Sequence, residues 1–247
     1  MEKLRDQFIL NHHLRNPITN EVYCYTAKVG CSYFKTGFIV TYFSQLGEVV
    51  KPEEIRRKVH ETARDFRVKE LDEIYSATVR VQIVRDPWSR LVSAFLDKFI
   101  NASPTSFSRE VLSSLKIERK DLRMHDFVHY LAQSQGLVIN EHWMPQVEHQ
   151  AKGADYELVN LTDVTAHPVS ARWAEAAGPV RRNQLGTRVD IPGATQMKVS
   201  AIESLLEDTG AWPSSKSFSV PEINHFEERF LARDRDLLVK TSDRFRG

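Results

Sequence analysis

The chain has 247 residues, 41% hydrophobic and 27% charged, which is the balance of a folded globular domain rather than a disordered or fibrous chain. Its 34 basic and 33 acidic side chains leave a formal net charge of +1, which excludes the broad basic field of a nucleic-acid binder and makes any anion site local. The two cysteines, Cys24 and Cys31, give no disulfide framework, neither a CxxC pair nor a His-x-x-x-His pair beside a cysteine is present to suit zinc, and no run approaches the ~18 apolar residues of a membrane span.

The N-terminal stretch MEKLRDQFILNHHLRNP scatters charges and holds no signal-peptide core. With the cysteine usage, this predicts a soluble, cytoplasmic chain without nucleic-acid or membrane partners; oligomeric state is not encoded in any pattern. Residues Val22 to Ala27 (VYCYTA) read as a strand, and the turn Lys28-Val29-Gly30-Cys31 follows. A helix then begins at Ser32, its candidate cap, with Phe34, Phe38, Tyr42 and Leu46 recurring every four residues and Gly47 as its stop. Pro52 to Phe66 reads as one polar helix opened by Pro-Glu-Glu. Thr78 to Val84 alternates Val79, Val81 and Ile83 with polar residues, which predicts a strand ended by Arg85-Asp86-Pro87. Trp88 to Phe99 is a helix with Trp88, Leu91, Val92, Phe95 and Phe99 on one side, and Asp86 is placed to cap it. Asn101 to Ser108 reads as a polar loop, His125 to Gln135 as a helix, and Tyr156 to Leu161 as a third strand. Residues 162–195 read as loops with short helices, and Met197 to Asp208 and Pro221 to Lys240 as helices. Strands separated by helices predict a three-layer α/β fold, a central parallel sheet flanked by helices, in a single domain over residues 1–247.

Two constellations carry chemistry. In the first, a strand leads through Lys28-Val29-Gly30-Cys31-Ser32-Tyr33 into a helix. A glycine lets the backbone approach a ligand, a helix start presents unbonded N–H groups, and a lysine adds a full charge, which together make an anion site. The lysine precedes the glycine, so this is not a Walker A loop, and an ordinary strand–helix turn with a surface lysine has the same pattern. In the second, Arg85 stands at the carboxyl end of a strand, where open α/β sheets bind ligands, and Ser93 follows on the next helix. Arginine can grip a phosphate bidentately and serine can donate a further bond; a salt bridge from Arg85 and a packing role for Ser93 are the plain alternatives.

The segments KVGCSYFK and VRDPWSRLVSAFLDKF together resemble the sulfotransferases that use 3′-phosphoadenosine 5′-phosphosulfate (PAPS), in particular the carbohydrate branch that includes the chondroitin, dermatan and HNK-1 enzymes. The segments HDFVHYL and NEHWMPQ, followed by YELV, fit the same branch, so the resemblance runs in order from Tyr23 to Asp163. It implies a P-loop-like nucleotide-binding fold in which Lys28, Gly30, Cys31, Ser32 and Tyr33 form the 5′-phosphosulfate loop and Arg85 with Ser93 receives the 3′-phosphate. It also implies transfer of a sulfuryl group to a hydroxyl of a glycan or a small natural product, with no metal required. Lys28 is the residue for charge on the leaving phosphate. His60, between the two phosphate motifs, is the first candidate base, with Glu61 beside it, and His142 is a second. Lys35 and Arg90 are candidates for added positive potential, with surface positions as the alternative, and His12 and His13 receive no role. The chain departs from the branch in lacking the membrane anchor and extra cysteines of its Golgi members: Val147 to Asp155 contains no cysteine, and Asn160 to Asp163 replaces a Gly-Lys-x-Glu motif. These departures point to a cytosolic, bacterial-type relative. A nucleotide phosphotransferase and a silent PAPS-binding module are the competing classes.

Overall fold

The computed structural model describes residues 2–101, 105–133, 140–179 and 187–218 and the single positions 232, 234 and 236. In chain order the helices are α1 (Glu2–Asn11), α2 (Cys31–Gln45), α3 (Pro52–Arg57), α4 (Val59–Thr62), α5 (Leu71–Tyr75), α6 (Pro87–Phe95), α7 (Ser106–Leu115), α8 (Met124–Gln133), α9 (Pro168–Ala177) and α10 (Val199–Thr209). The strands are β1 (His13–Asn16), β2 (Glu21–Cys24), β3 (Val79–Val84), β4 (Glu157–Asn160), β5 (Thr187–Val189) and β6 (Ala211–Pro213). The chain folds as two compact units, one from Met1–Arg85, Gln146–Val180 and Asp234–Gly247, the other from Asp86–Pro145 and Arg181–Arg233.

The first unit holds a four-stranded sheet in the order β1-β2-β3-β4. β2, β3 and β4 are parallel, with Cys24 opposite Gln82 and Ile83 opposite Val159. The predicted α/β architecture, a largely parallel sheet flanked by helices, is therefore present. β1 is an addition: it runs antiparallel to β2, His13 opposite Cys24, and its sequence HLRN is too short and polar to announce a strand. β3 also departs from simple alternation. Parallel strands are covered on both faces, and Gln82, expected to face out, is buried and donates from Nε2 to Thr26 Oγ1 (3.2 Å) and the Gln146 carbonyl (2.9 Å).

α2 packs Phe34, Phe38 and Ile39 against Tyr23, Phe66 and Trp173. Its Gly37 passes against the backbone of α9, where an added Cβ would lie 1.8 Å from the Trp173 carbonyl oxygen. The stretch read as one polar helix over 52–66 is instead broken. α3 ends at Lys58 (φ −126°), α4 is one turn, and a 3₁₀ turn runs from Ala63 to Phe66. Ile55, Val59, Ala63 and Phe66 nevertheless all face the core, a spacing of one helical side, and His60 faces out.

The second unit is organised around an aromatic centre: Phe95, Phe99, Phe127, Trp143 and Phe218 are buried together, with Phe99–Phe127 and Phe127–Trp143 centroids both 5.3 Å apart. The predicted Trp88–Phe99 helix is α6 followed by a π-helical turn from Leu96 to Asn101. Asp86 caps α6 as expected, its carboxylate accepting from the Ser89 N–H at 2.7 Å. The polar loop expected up to Ser108 gives way to α7 at Ser106, and the helices expected over 125–135 and 197–208 are α8 and α10. Residues 102–104, 134–135 and most of the helix expected over 221–240 lie outside the described residues.

Candidate functional site

Beyond β2 the chain makes a tight reversal. Lys28 (φ 68°) and Gly30 (φ 74°) both adopt the left-handed region, on either side of the buried Val29. For a lysine that conformation costs about 1–2 kcal/mol. The reversal delivers the chain into α2 with Gly30, rather than Ser32, at the N-cap. Gly30 has no side chain to cap with. The first helical bond is that from the Phe34 N–H to the Gly30 carbonyl, 3.1 Å, so the N–H groups of Cys31, Ser32 and Tyr33 lie at the open head of a 15-residue helix. Donors of this kind beside Lys28 form a set that suits a phosphate oxygen.

Two residues from elsewhere in the same unit reach this loop. Ser32 Oγ lies 3.2 Å from His60 Nε2, so the candidate base stands at the helix head despite its position 28 residues on. Arg85, just past β3, donates from Nη1 to the Lys28 carbonyl at 3.2 Å. The backbone of Arg85 is gripped in turn by the side chain of Gln146. The Arg85 N–H donates to Gln146 Oε1 (3.0 Å) and Gln146 Nε2 donates to the Arg85 carbonyl (2.9 Å). The buried carboxylate of Asp234 accepts from Gln146 Nε2 (3.2 Å) and from the Val147 N–H (3.1 Å). The sequence reading gave neither Gln146 nor Asp234 a role. Gln146 lay in a quoted motif, but Asp234 sat in a charge-rich segment with nothing to single it out.

The remaining predicted residues behave differently. Tyr33 turns its hydroxyl away from the loop, bonding the carbonyls of Ala174 (2.7 Å) and Gly178 (2.9 Å) at the end of α9, and burial raises its pKa. Its backbone N–H remains at the open head of α2. Cys31 is half-buried. Lys35 is no surface residue: it is buried, its Nζ 3.3 Å from the centroid of the Tyr25 ring. Ser93, His142 and Arg90 belong to the second unit. Ser93 is half-buried in α6. Arg90 is fully buried and ties down the carbonyls of Met144 (2.8 Å) and Glu141 (2.9 Å), which replaces the surface position considered for it with a structural one. The His142 backbone N–H and its Nδ1 both lie 2.9 Å from Asn140 Oδ1, and the backbone donor identifies that atom as the oxygen. Nδ1 therefore donates to it, and Nε2 lies 3.9 Å from Glu141 Oε1. Among the described residues, no group of three histidine, cysteine or acidic side chains could hold a metal ion, and no helix is long and apolar enough to cross a membrane.

Residues 11–171 match the model of one protein family, described as the Sulfotransferase family. The chain is similar to carbohydrate sulfotransferase 14 of Danio rerio, 27% identical over 155 residues that cover 59% of this chain and 42% of that protein. It is also similar to carbohydrate sulfotransferase 11 of Rattus norvegicus (28% over 143 residues, 49% of this chain and 40% of that protein). Carbohydrate sulfotransferase 10 of Gallus gallus is 31% identical over 128 residues, 44% of this chain and 34% of that protein. The chain thus spans about two-fifths of the length of the curated relatives it matches. No solved structure matches it. These relatives correct one expectation: they place the chain beside the carbohydrate branch with its Golgi members, so the cytoplasmic assignment drawn from the cysteines and the charged N-terminus is withdrawn.

Proposed function

The chain belongs to the sulfotransferase family, and on that premise we propose that it transfers a sulfuryl group from PAPS to a hydroxyl group of a carbohydrate. The observation that carries the reading is the contact of three predicted residues in one place: Lys28 at the head of α2, Arg85 on the Lys28 carbonyl, and His60 on Ser32. Similarity to carbohydrate sulfotransferases supports a glycan acceptor over a small natural product. We take residues 1–247 as one catalytic domain, since the family match runs through segments of both compact units.

When bound, PAPS supplies the sulfuryl group, whose bond to the acceptor oxygen forms as its bond to the 5′-phosphate breaks. The N–H groups of Cys31 to Tyr33 hold phosphate oxygens at the positive end of α2. Lys28 opposes the charge that grows on the leaving 5′-phosphate, an effect worth about 100- to 1,000-fold in rate where one such donor is removed elsewhere. His60 takes the acceptor proton. Arg85 recognises the 3′-phosphate, and Ser93 contributes to the same preference.

The test is calorimetric binding of adenosine 3′,5′-bisphosphate, the desulfated product, with AMP, ADP and ATP as controls and Arg85→Ala as a second protein. Micromolar binding that needs both the 3′-phosphate and Arg85 is expected. Preference for ATP would overturn the reading in favour of phosphoryl transfer.

A further inference from the structure

We infer that Gln146, held in one orientation by Asp234, is a positioning residue that sets Arg85 for recognition of the donor's 3′-phosphate. The inference rests on the proposed use of PAPS. The last rung of the β3–β4 ladder is Val84 opposite Asn160, so Arg85 lies one residue past the sheet. A residue there has a backbone N–H and carbonyl with no strand beside them, and such groups need partners when water is excluded. The amide of Gln146 supplies both, accepting from the N–H at 3.0 Å and donating to the carbonyl at 2.9 Å. One side chain thereby acts as an extra rung of sheet and fixes the backbone from which the Arg85 guanidinium extends.

The amide can do this in only one of its two flips. Reversed, it would set its NH₂ against the Arg85 N–H and its oxygen against the Arg85 carbonyl. Asp234 favours the correct one: the Val147 N–H donates to its Oδ1, and its Oδ2, turned to Gln146 as an acceptor, meets the NH₂ of that amide. The distances agree, with Nε2 shared between the Arg85 carbonyl and Asp234 Oδ2 at 3.2 Å, and the second Asp234 oxygen occupied by the Val147 N–H at 3.1 Å. Gln146 and Asp234 are both fully buried, so neither is placed to touch solvent or a nucleotide. Their influence passes through Arg85. The main chain of Gln146 is braced as well, since its carbonyl accepts from Gln82 Nε2 at 2.9 Å.

The experiment measures the ratio of Kd for AMP to Kd for adenosine 3′,5′-bisphosphate by calorimetry on the full chain, alongside Tm. In Gln146→Leu, which keeps the bulk and removes the amide, the preference for the bisphosphate should fall by on the order of tenfold, while AMP affinity stays within about twofold. Gln146→Glu keeps an acceptor for the Arg85 N–H but has no donor for its carbonyl and opposes Asp234. It should also lose the preference, and it provides the test if Gln146→Leu does not fold. In an Arg85→Ala background the Gln146 substitution should change the ratio by less than about twofold, because the two act through one group. A Tm loss with the preference intact, or equal effects in the two backgrounds, would overturn the inference and leave the PAPS reading standing. A native protein that does not distinguish the bisphosphate from AMP would overturn that reading and this inference with it.

Discussion

His13, which the sequence reading left without a role, makes the first unit sensitive to acid by an amount that can be worked out. The imidazole is fully buried, with Nδ1 2.7 Å from the Ile9 carbonyl and Nε2 2.7 Å from the Tyr156 hydroxyl. The carbonyl can only accept, so Nδ1 carries the proton and Nε2 accepts from Tyr156 O–H, whose oxygen accepts from the Ala151 N–H at 3.0 Å. A second proton on the ring would turn Nε2 into a donor and strand the Tyr156 proton in a buried site. Burial accordingly lowers the His13 pKa to about 4, with the Ile9 bond opposing the shift and nearby His12 adding to it. Against an unfolded value of ~6.5, the gap of about 2.5 units corresponds to about 3 kcal/mol. The unfolded chain binds the proton first as pH falls, so this stability is complete above about pH 6.5 and is lost progressively down to about pH 4. Integrated from pH 7.5 to 5.0, the single site removes about 2 kcal/mol. His13→Gln keeps an acceptor for Tyr156 and does not titrate. Urea denaturation of both proteins at the two pH values should show the native chain losing about 2 kcal/mol more than the variant. Equal losses in the two proteins would refute the argument, because every other titrating group is common to both.

Three further outcomes follow from the geometry. Gly37→Ala sets a methyl carbon 1.8 Å from the Trp173 carbonyl oxygen, so α2 and α9 must part; a loss of at least about 2 kcal/mol, read as a Tm drop of roughly 5 °C or more, is expected, and an unchanged Tm would show that the helices do not cross there. Lys28→Met preserves the stem and removes the charge, and turnover with PAPS should fall by about 100-fold or more while bisphosphate affinity falls far less. A fall confined to affinity would move Lys28 from transition-state stabilisation to simple binding. His60→Gln should reduce turnover by about 100- to 10,000-fold with bisphosphate binding unchanged, and full activity in that variant would remove His60 from the reaction.

The fold was legible where local signals agree with tertiary ones. β3 and the helix after it carry β-branched residues, a proline at the first helical position and an aspartate cap, and each appears within a residue or two of its expected place. The break inside 52–66 was not legible, because Ile55, Val59, Ala63 and Phe66 keep helical spacing straight across it. β1 was missed because HLRN gains its strand character only from pairing with β2. The loop from Lys28 to Tyr33 was visible as a type of turn, yet its cap was misplaced by two residues: Ser32 has the side chain of a capping residue, while Gly30 has the backbone freedom the reversal demands. Gln146 and Asp234 show the limit most clearly. Their partnership with Arg85 spans 61 residues in one direction and joins positions 88 residues apart in the other, a distance no periodicity or motif spacing covers.

The parallel sheet also explains how the two motifs, so far apart in sequence, come together. Cys24 and Gln82 are register partners on neighbouring parallel strands. Lys28 lies four residues past the first and Arg85 three past the second, so both emerge at the carboxyl ends of adjacent strands, which stand about 4.8 Å apart. Each strand end is then redirected by a local device. Left-handed residues at 28 and 30 turn the first toward the head of α2, and the Gln146 rung fixes the backbone of the second at Arg85. The bond from Arg85 to the Lys28 carbonyl closes the pair. A slip of the β2–β3 register by one residue would move these strand ends apart by about 3.3 Å and flip the buried Gln82 to the opposite face. The register that buries the core of the first unit is therefore also what brings its two cationic residues to the same place.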